Sequence, residues 1–405
     1  MKDILDAVKC EELFGFIQCS IHVPSHLVEK FSEFPPIFKN TEISMANIGE
    51  HMQAYCRSIT RKTCVKRSLI SSMKGESILI LSPLLKKYLE MGLVVTNIEF
   101  VIEYNGKCVF EWFMNEGISD RHMADLNAEY TERGETSKTR GNSGYGETLM
   151  NKFTHPKISF TEEENFPEHV ASPFFKTLQE LNGDIHEIEK QKRKVQLDLP
   201  MQIGIAAYSY AKLCLIEFRE FINTHLMNDH YQLMECDADS LYIAFAKSDI
   251  DDCVKPELKE KRLAEKWLWF SSKDTQTMVP FHDEIMISLK QFDKCTPGKF
   301  KPEFIGNGQL CLNSQEYHIW NDEEEKISCK GVQKRRNRLL REDFLSVIET
   351  QKAKVFTNAG FIKETDSITG RPSIKTYTQT KQGLGYFYAK RIVLSDGVST
   401  THLNI

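Results

Sequence analysis

The stretch MECDADSLYI (residues 234–243) carries two carboxylates two residues apart, with apolar, β-forming residues on either side. Those flanks predict one strand over 231–234 and another over 241–245, so that Asp237 and Asp239 fall at the tip of a β-hairpin. Two acids held this close repel each other unless a cation neutralises them, and carboxylates together with substrate phosphates are common Mg²⁺ ligands. The alternative is an acidic β-turn, since Asp is frequent in turns for backbone reasons.

The composition is that of an ordinary soluble globular protein: 405 residues, 41% hydrophobic and 27% charged. This length predicts two or three subdomains. The net charge of −5 argues against a uniformly basic nucleic-acid-binding protein, but not against a local basic groove. Eleven cysteines without a Cys-x-x-Cys pair predict reduced thiols and no zinc site. Because neither a signal peptide nor a membrane-spanning run is present, we expect an intracellular protein that is not secreted and has no membrane partner.

Hydrophobic periodicity outlines several elements around the hairpin. It predicts helices over 81–91 and 116–140, and a long helix that begins at Pro200. Alternating and apolar runs predict strands over 14–23 and 94–104, a β region over 300–320 and a hairpin-like tail over 386–394. A long helix that leads into a β-hairpin indicates an α+β arrangement.

A second unusual stretch is KTRGNSGYG (residues 138–146). Lys138, Asn142 and Tyr145 lie four and three residues apart, so on a helix their side chains share one face. A cation suits a triphosphate, an amide can bind sugar or base, and a ring can stack on a base. The three glycines remove side chains and would let a ligand approach the backbone. The alternative is a flexible Gly/Ser loop with one solvated lysine.

Together these two stretches match Lys-x-x-x-Asn-Ser-x-Tyr-Gly and Asp-x-Asp-Ser, in the order in which family B DNA polymerases carry them in fingers and palm. The chain resembles most closely the protein-primed type found in Maverick/Polinton mobile elements and related viral or plasmid polymerases. Further blocks that look like this family extend the resemblance over nearly the whole chain: residues 13–16, 34–40, 328–332 and 396–401.

The resemblance implies an α+β fold of right-hand DNA polymerase architecture. Its palm would be an antiparallel sheet with packed helices, beside helical fingers and a mixed thumb. The implied boundaries are 1–80 for a palm-proximal segment, 81–155 for the fingers, 156–325 for the palm with the Asp-x-Asp hairpin, and 326–405 for the thumb.

The resemblance also implies the nucleotide and metal residues. Asp239 would be a ligand of both catalytic metals, with Asp237 as its companion. Lys138 would contact the triphosphate, while Asn142 and Tyr145 would line the nucleotide pocket. Arg121, in the preceding helix, would be another triphosphate contact, with a solvated arginine on a helix face as the equal alternative.

For primer–template DNA, the resemblance implies Tyr317 and Lys330 beside the backbone near the junction of palm and thumb. Lys334, Arg335 and Arg336 would extend that basic surface, where phosphate contacts give affinity without sequence preference. A solvated basic face is the alternative for the cluster by itself.

The implied reaction is DNA-directed DNA synthesis. A primer 3′-oxygen attacks the α-phosphate of a dNTP and pyrophosphate leaves, with two Mg²⁺ (or Mn²⁺) ions as cofactors. The implied partners are primer–template DNA, dNTPs and a protein primer.

The chain departs from the family in the sequence around this site. The earlier palm motif, Asp-x-x-Ser-Leu-Tyr-Pro, supplies the other shared metal ligand, and no such string occurs here. We therefore expect the chain to begin just after that motif, to lack the proofreading exonuclease, and to be weak or inactive as a polymerase by itself. The Lys-x-Tyr expected near the primer is Gln315-Glu316-Tyr317, which loses a cation and adds repulsion towards phosphate.

Two other functions remain open at this point. One is a non-catalytic nucleic-acid-binding remnant of a mobile-element polymerase, which would keep the basic surface and be indifferent to loss of the two acids. The other is a nucleotide-sugar glycosyltransferase, in which an Asp-x-Asp at a strand end holds Mn²⁺ and a diphosphate. That second alternative leaves the 138–146 block and the basic tail unexplained.

Overall fold

The computed structural model describes residues 1–59, 66–108, 110–126, 131–182, 185–237, 240–282, 285–294, 296–365 and 372–405. Over these ranges the chain forms helices together with several small antiparallel sheets, so the predicted α+β class is confirmed. Of the helices in these ranges, none combines the length and the apolar character needed to cross a membrane.

The α-helices are spread along the whole chain. They are α1 (Lys2–Lys9), α2 (Val28–Phe31), α3 (Gly49–Ser58), α4 (Ser82–Glu90), α5 (Glu111–Leu126), α6 (Thr131–Thr148), α7 (Phe166–Val170), α8 (Met201–His225), α9 (Lys259–Trp269), α10 (Leu289–Lys294), α11 (Lys334–Asn337) and α12 (Arg341–Thr350).

The strands alternate with these helices. They are β1 (Gly15–His22), β2 (Ile37–Ile43), β3 (Lys66–Ser72), β4 (Lys74–Leu81), β5 (Val94–Glu103), β6 (Lys157–Glu162), β7 (Phe175–Asn182), β8 (Ile185–Lys190), β9 (Tyr231–Asp237), β10 (Ser240–Phe245), β11 (Met278–His282), β12 (Ile285–Ser288), β13 (Gly308–Asn313), β14 (Glu316–Trp320), β15 (Glu325–Cys329), β16 (Lys354–Thr365), β17 (Pro372–Leu384), β18 (Ile392–Val393) and β19 (Thr400–Thr401). The pairings between them are antiparallel, in the orders β4-β1-β5, β2-β3, β6-β8-β7, β9-β10, β11-β12, β13-β14-β15, β16-β17 and β18-β19.

Several predicted elements are confirmed because a local pattern specifies them. The strands predicted over 14–23 and 94–104 are β1 and β5, and the helix predicted over 81–91 is α4, which has a proline in its first turn. The helix predicted from Pro200 is α8, with Pro200 as its N-cap. The tail is different: its hairpin joins β18 to β19, because Asp396 Oδ1 accepts bonds from the N–H groups of Val398 and Ser399 and forms the turn there.

The described residues divide into two compact units. Unit 1 consists of Met1–Leu149, Pro200–Glu303 and Ala389–Ile405. Its largest core lies between the β4-β1-β5 sheet and the helices α1 and α4, with Ile17, Leu85 and Tyr88 fully or almost fully buried. The Tyr88 hydroxyl donates to the Pro36 carbonyl at 2.7 Å, so this buried ring keeps its polar end satisfied.

Unit 2 consists of Met150–Leu199 and Phe304–Tyr388, two segments that are distant in sequence. The rings of Phe160 and Tyr377 lie 5.6 Å apart and Lys375 pairs with Glu162, so the strands of the two segments contact each other within the unit. Phe344 is fully buried in the core of this unit. The units therefore group residues 150–199 with 304–388, whereas the implied boundaries follow the chain linearly and stay a prediction.

Each unit contains a buried thiol that should make stability depend on alkaline pH. Burial, assisted by Glu99, raises the pKa of Cys19 from its ordinary 9.0 to about 11. Burial and Glu316 raise the pKa of Cys329 to about 11, partly offset by Lys334 and Lys381. A thiol whose pKa is raised in the folded state makes its full contribution to the free energy of unfolding at pH values below its unfolded-state pKa. We therefore expect this contribution to be lost as the pH rises from 9.0 to about 11.

Urea unfolding of the wild type and of the Cys19→Ala/Cys329→Ala variant would measure this loss. Because the variant cannot ionise at these positions, its free energy of unfolding should fall less between about pH 8 and about pH 10.5. An equal fall in both proteins would contradict the assignment.

Candidate functional site

The hairpin predicted around the two acids is present. Strands β9 and β10 pair antiparallel up to Asp237 and Ser240. Tyr242 pairs with Glu235 and the next residue, Ile243, pairs with Leu233, so Met234 is an additional residue in β9. Asp239 and the side chain of Asp237 lie outside the described residues, and their metal-binding and catalytic roles stay predictions.

The 138–146 block lies within the helix α6, where a Gly/Ser loop was the alternative. Lys138, Asn142 and Tyr145 therefore share one helical face, as their spacing predicts. Lys138 and Asn142 are exposed, while Tyr145 is partly buried. The structure thus places a cation, an amide and a phenol ring together on one face of the helix α6.

The glycines of this block have no packing partner among the described residues. A Cβ added at Gly141, Gly144 or Gly146 would meet no described atom within 4 Å. Gly134, earlier in the same helix, differs: its added Cβ would lie 2.5 Å from the Ala124 Cβ, so close packing of α5 on α6 requires it. Because each glycine in a helix interior costs about 0.5–1 kcal/mol relative to Ala, the open glycines need a reason other than packing.

The helices α5 and α6 form a hairpin in which one basic side chain has an ion-pair partner and two have none among the described residues. Arg133 Nε lies 2.5 Å from Asp120 Oδ1, and Ser137 donates to Asp120 Oδ2 at 2.6 Å, so Arg133 has a structural partner. Arg121 and Lys138 form no ion pair with any residue that the structure describes. Arg121 lies where α5 packs on α6, because its Cα would be 3.7 Å from a Cβ added at Gly134. Gly134 precedes Lys138 by about one helical turn.

The long helix α8 supports both stretches inside unit 1. Near its start, Gly204 packs against Thr148 at the end of α6, and the Tyr208 ring lies 5.8 Å from the Tyr145 ring, nearly perpendicular to it. Further along, Arg219 bonds Glu33 and lies over the Tyr231 ring of β9 at 5.1 Å. Tyr208 and Arg219 are eleven residues apart, so the two contacts are about 16 Å apart along the helix axis.

Sequence reasoning missed the polar residues of α8. Lys212, one turn after Tyr208, is partly buried, and burial lowers its pKa. Its Nζ lies 5.3 Å from the centroid of the Phe38 ring, and no described carboxylate pairs with it. Lys212 and Arg219 are the two basic residues other than histidine in the helix α8, and they are the signal that could have identified this face.

In unit 2 the basic residues of α11 and its surroundings form a surface. Lys330, Arg335 and Arg336 are exposed, while Lys334 donates to the Ile327 carbonyl at 2.6 Å. Lys381, on β17, was not predicted and lies over Gly331, whose φ of +77° also favours glycine. We call Lys330, Lys334, Arg335, Arg336 and Lys381 the basic cluster.

The neighbouring residues of β14 are largely engaged within unit 2. Tyr317 is only 6% exposed, so most of its ring is used in packing, and its contact with DNA stays a prediction. Glu316 is half-buried, and its carboxylate accepts a weak bond from the Gly385 N–H at 3.4 Å. The carboxylate that replaces the expected lysine is therefore partly occupied by the chain itself.

The donor chemistry of the hairpin suits a hard divalent ion. Carboxylate oxygens are the ligands that Mg²⁺ and Mn²⁺ take in phosphate-transferring sites. Within the described ranges, no group of three or more His, Cys, Asp or Glu could hold a metal ion.

No model of a known protein family, no curated protein and no solved structure matches this chain. The fold is established as α+β with small antiparallel sheets. The resemblance to family B DNA polymerases therefore depends on the sequence blocks and stays a prediction.

Proposed function

We propose that this chain is a palm, fingers and thumb portion of a family B DNA polymerase of the protein-primed type. The observation that carries the proposal is the helix α6, whose exposed face presents Lys138 and Asn142 beside Tyr145. Further support comes from α8, which contacts both Tyr145 and the strand that leads to Asp237. In this proposal most of the fingers segment 81–155 belongs to unit 1, the palm segment 156–325 is divided between the two units, and most of the thumb segment 326–405 belongs to unit 2.

In the proposed site α6 binds the incoming dNTP. Lys138 and Arg121 have no carboxylate partner among the described residues, so both can neutralise triphosphate charge. Asn142 offers an amide to the sugar or the base, and the Tyr145 ring, held by Tyr208, offers a stacking surface. Lys212, which has no carboxylate partner among the described residues, lies on the same side of α8 as Tyr208.

At the hairpin, Asp237 and Asp239 would hold the divalent ions. Bound Mg²⁺ or Mn²⁺ would activate the attacking primer oxygen and neutralise charge on the leaving pyrophosphate. The chain's own part would be to position Asp237 at the end of the paired strand β9, because phosphoryl transfer depends mainly on positioning and electrostatics. Since the second shared carboxylate has no matching motif in this sequence, we expect weak or no polymerase activity from this chain alone.

The basic cluster of unit 2 would bind the phosphates of the primer–template. Lys330, Arg335 and Arg336 are exposed and make no ion pair within the described part of the chain. Such contacts give affinity that is independent of sequence and falls steeply with salt. The competing function, a non-catalytic remnant, shares this surface, so DNA binding by itself does not separate the two.

Binding of a dNTP distinguishes the proposed polymerase portion from a non-catalytic remnant, and substitution of Lys138 tests it. We expect Lys138→Ala to weaken the binding of dATP by about 10- to 100-fold, because one charge-assisted contact to phosphate is worth about 1.5–3 kcal/mol. Isothermal titration of dATP with Mn²⁺ present would measure it.

Arg140→Ala is the matched control for this prediction. Arg140 is an exposed cation of the same helix and points about 160° away from Lys138, so its loss should leave dATP binding within about twofold. Equal losses in the two variants would show a non-specific charge effect and contradict the proposed site. No binding of dATP by the wild type would favour the non-catalytic remnant.

A further inference from the structure

The strand that leads to Asp237 needs support from outside its own hairpin. Strands β9 and β10 form a two-stranded sheet within the described residues, and Met234 interrupts their register. A two-stranded hairpin is marginally stable by itself, and a bulge weakens its ladder further. The position of the strand end that carries Asp237 therefore depends on the contacts that β9 makes with other elements.

Glu33 provides such a fixing point on the outer edge of β9. Its Oε1 accepts from the Leu233 N–H at 2.9 Å, immediately before the additional residue Met234. Its Oε2 accepts from Arg219 Nη2 on α8. One carboxylate thus ties β9 to the long helix, across 200 and 186 residues of sequence respectively.

The arginine in this arrangement is unfavourable for stability alone. Arg219 is 9% exposed, burial lowers its pKa, and its Nε and Nη1 have no described hydrogen-bond partner. A buried cation that is only partly satisfied is often less stable than an apolar residue of similar size. Its presence beside Glu33 therefore points to a role in placing β9 rather than in stabilising the core.

The main chain at Glu33 also accepts hydrogen bonds from Arg391, the residue directly before β18. Arg391 donates from Nη1 to the Glu33 carbonyl at 3.3 Å and from Nη2 to the Ser32 carbonyl at 3.5 Å. Its Nε donates to Thr400 Oγ1 on β19 at 2.9 Å. The main chain at Glu33 is thus held by Arg391, while its carboxylate bonds Arg219 of α8 and Leu233 of β9.

We propose that Glu33 is a positioning residue that fixes the register of β9 and thereby the place of Asp237 and Asp239. This inference depends on the proposed function for the role of the two acids, but not for the register itself. Loss of the carboxylate should free Leu233, let β9 shift at the bulge and weaken the binding of a divalent ion at the tip.

Hydrogen exchange and Mn²⁺ binding of the full chain would test the inference. In Glu33→Ala we expect the Leu233 amide to exchange at least about 10-fold faster, and the dissociation constant for Mn²⁺, measured by electron paramagnetic resonance of the free ion, to rise by at least about 10-fold. Glu29→Ala, an exposed carboxylate of the same segment, should change neither quantity. Glu33→Gln keeps an acceptor for the Leu233 N–H and a polar partner for Arg219, so it should leave both quantities within about threefold of the wild type.

The outcomes separate this inference from the proposed function. Unchanged exchange at Leu233 in Glu33→Ala would overturn the inference, and so would Mn²⁺ binding that depends on Asp239 but not on Glu33. Mn²⁺ binding that is indifferent to Asp239→Ala would instead overturn the proposed metal site, while faster exchange at Leu233 would still support the fixing of the register. Loss of protection at Leu233 in Glu33→Gln as large as in Glu33→Ala would show that an acceptor at this position is not enough to fix β9, and would also overturn the inference.

Discussion

Replacing Gly141 and Gly146 by alanine should stabilise the protein and weaken dNTP binding at the same time. Each substitution adds a Cβ that meets no described atom, so the helix should gain about 0.5–1 kcal/mol per site. On a helical wheel the two glycines lie about 60° and about 80° from Lys138, on opposite sides of the proposed nucleotide face. A methyl group there would stand where the nucleotide approaches the backbone, and we expect the dissociation constant for dATP to rise at least about 10-fold.

The same experiment contains two controls. Gly144 lies about 120° from Lys138, and Gly117 lies on α5, with open space around both. Alanine at either position should raise the free energy of unfolding in the same way and leave dATP binding within about twofold. If Gly141→Ala/Gly146→Ala bound dATP as well as Gly144→Ala does, the open glycines would have no role in nucleotide binding. Urea unfolding and calorimetric titration supply the two quantities.

Replacing Phe344 by alanine should have the largest effect on stability. Phe344 is fully buried among Cys329, Val332 and Leu384, and its ring lies 5.9 Å from that of His318. Loss of a buried phenylalanine leaves a cavity and costs about 3–5 kcal/mol. We expect hydrogen-exchange protection in β13, β14 and β15 to fall, while β1 and α4 of unit 1 keep theirs.

Phe361→Ala is the matched control for Phe344→Ala. Phe361 lies on β16 in the same unit but is 73% exposed, so its removal should cost less than about 1 kcal/mol. Equal effects of the two substitutions would contradict the position of the core of unit 2. A fall in protection of equal size in β1 and α4 would contradict the division into two units.

The elements that could be predicted are those that a short window specifies. The alternation of residues 14–23 and the proline at position 200 were enough for β1 and for the start of α8. The region 248–300 is charged and interrupted by prolines, and it contains the eleven-residue helix α9 and the hairpin β11–β12. Its charged composition masked them, because their apolar residues contact distant parts of the chain rather than a local repeat.

The residues of the candidate site also divide into those that a local sequence pattern indicates and those that only the folded structure shows. The spacing of Lys138, Asn142 and Tyr145 predicts a shared face if the segment is helical, and the structure decided for the helix α6 over the Gly/Ser loop. Tyr208, Lys212 and Glu33 were missed, because each matters only through a contact that forms in the folded chain. Tyr317 shows the converse, since its motif suggested an accessible residue while the fold buries its ring.

The sequence by itself determined the local features: the α+β class, the paired strands of the acid-bearing hairpin and the long helix that begins after Pro200. Side-chain periods of 2 and 3.6 residues and turn chemistry specify these features within a few residues of each other. Only the tertiary structure decided that residues 150–199 join 304–388, and that the chain from Ala389 onwards joins unit 1. It alone showed that Glu33 bonds both Arg219 and Leu233, because contacts across nearly 200 residues depend on the packing of whole elements, which no local pattern records.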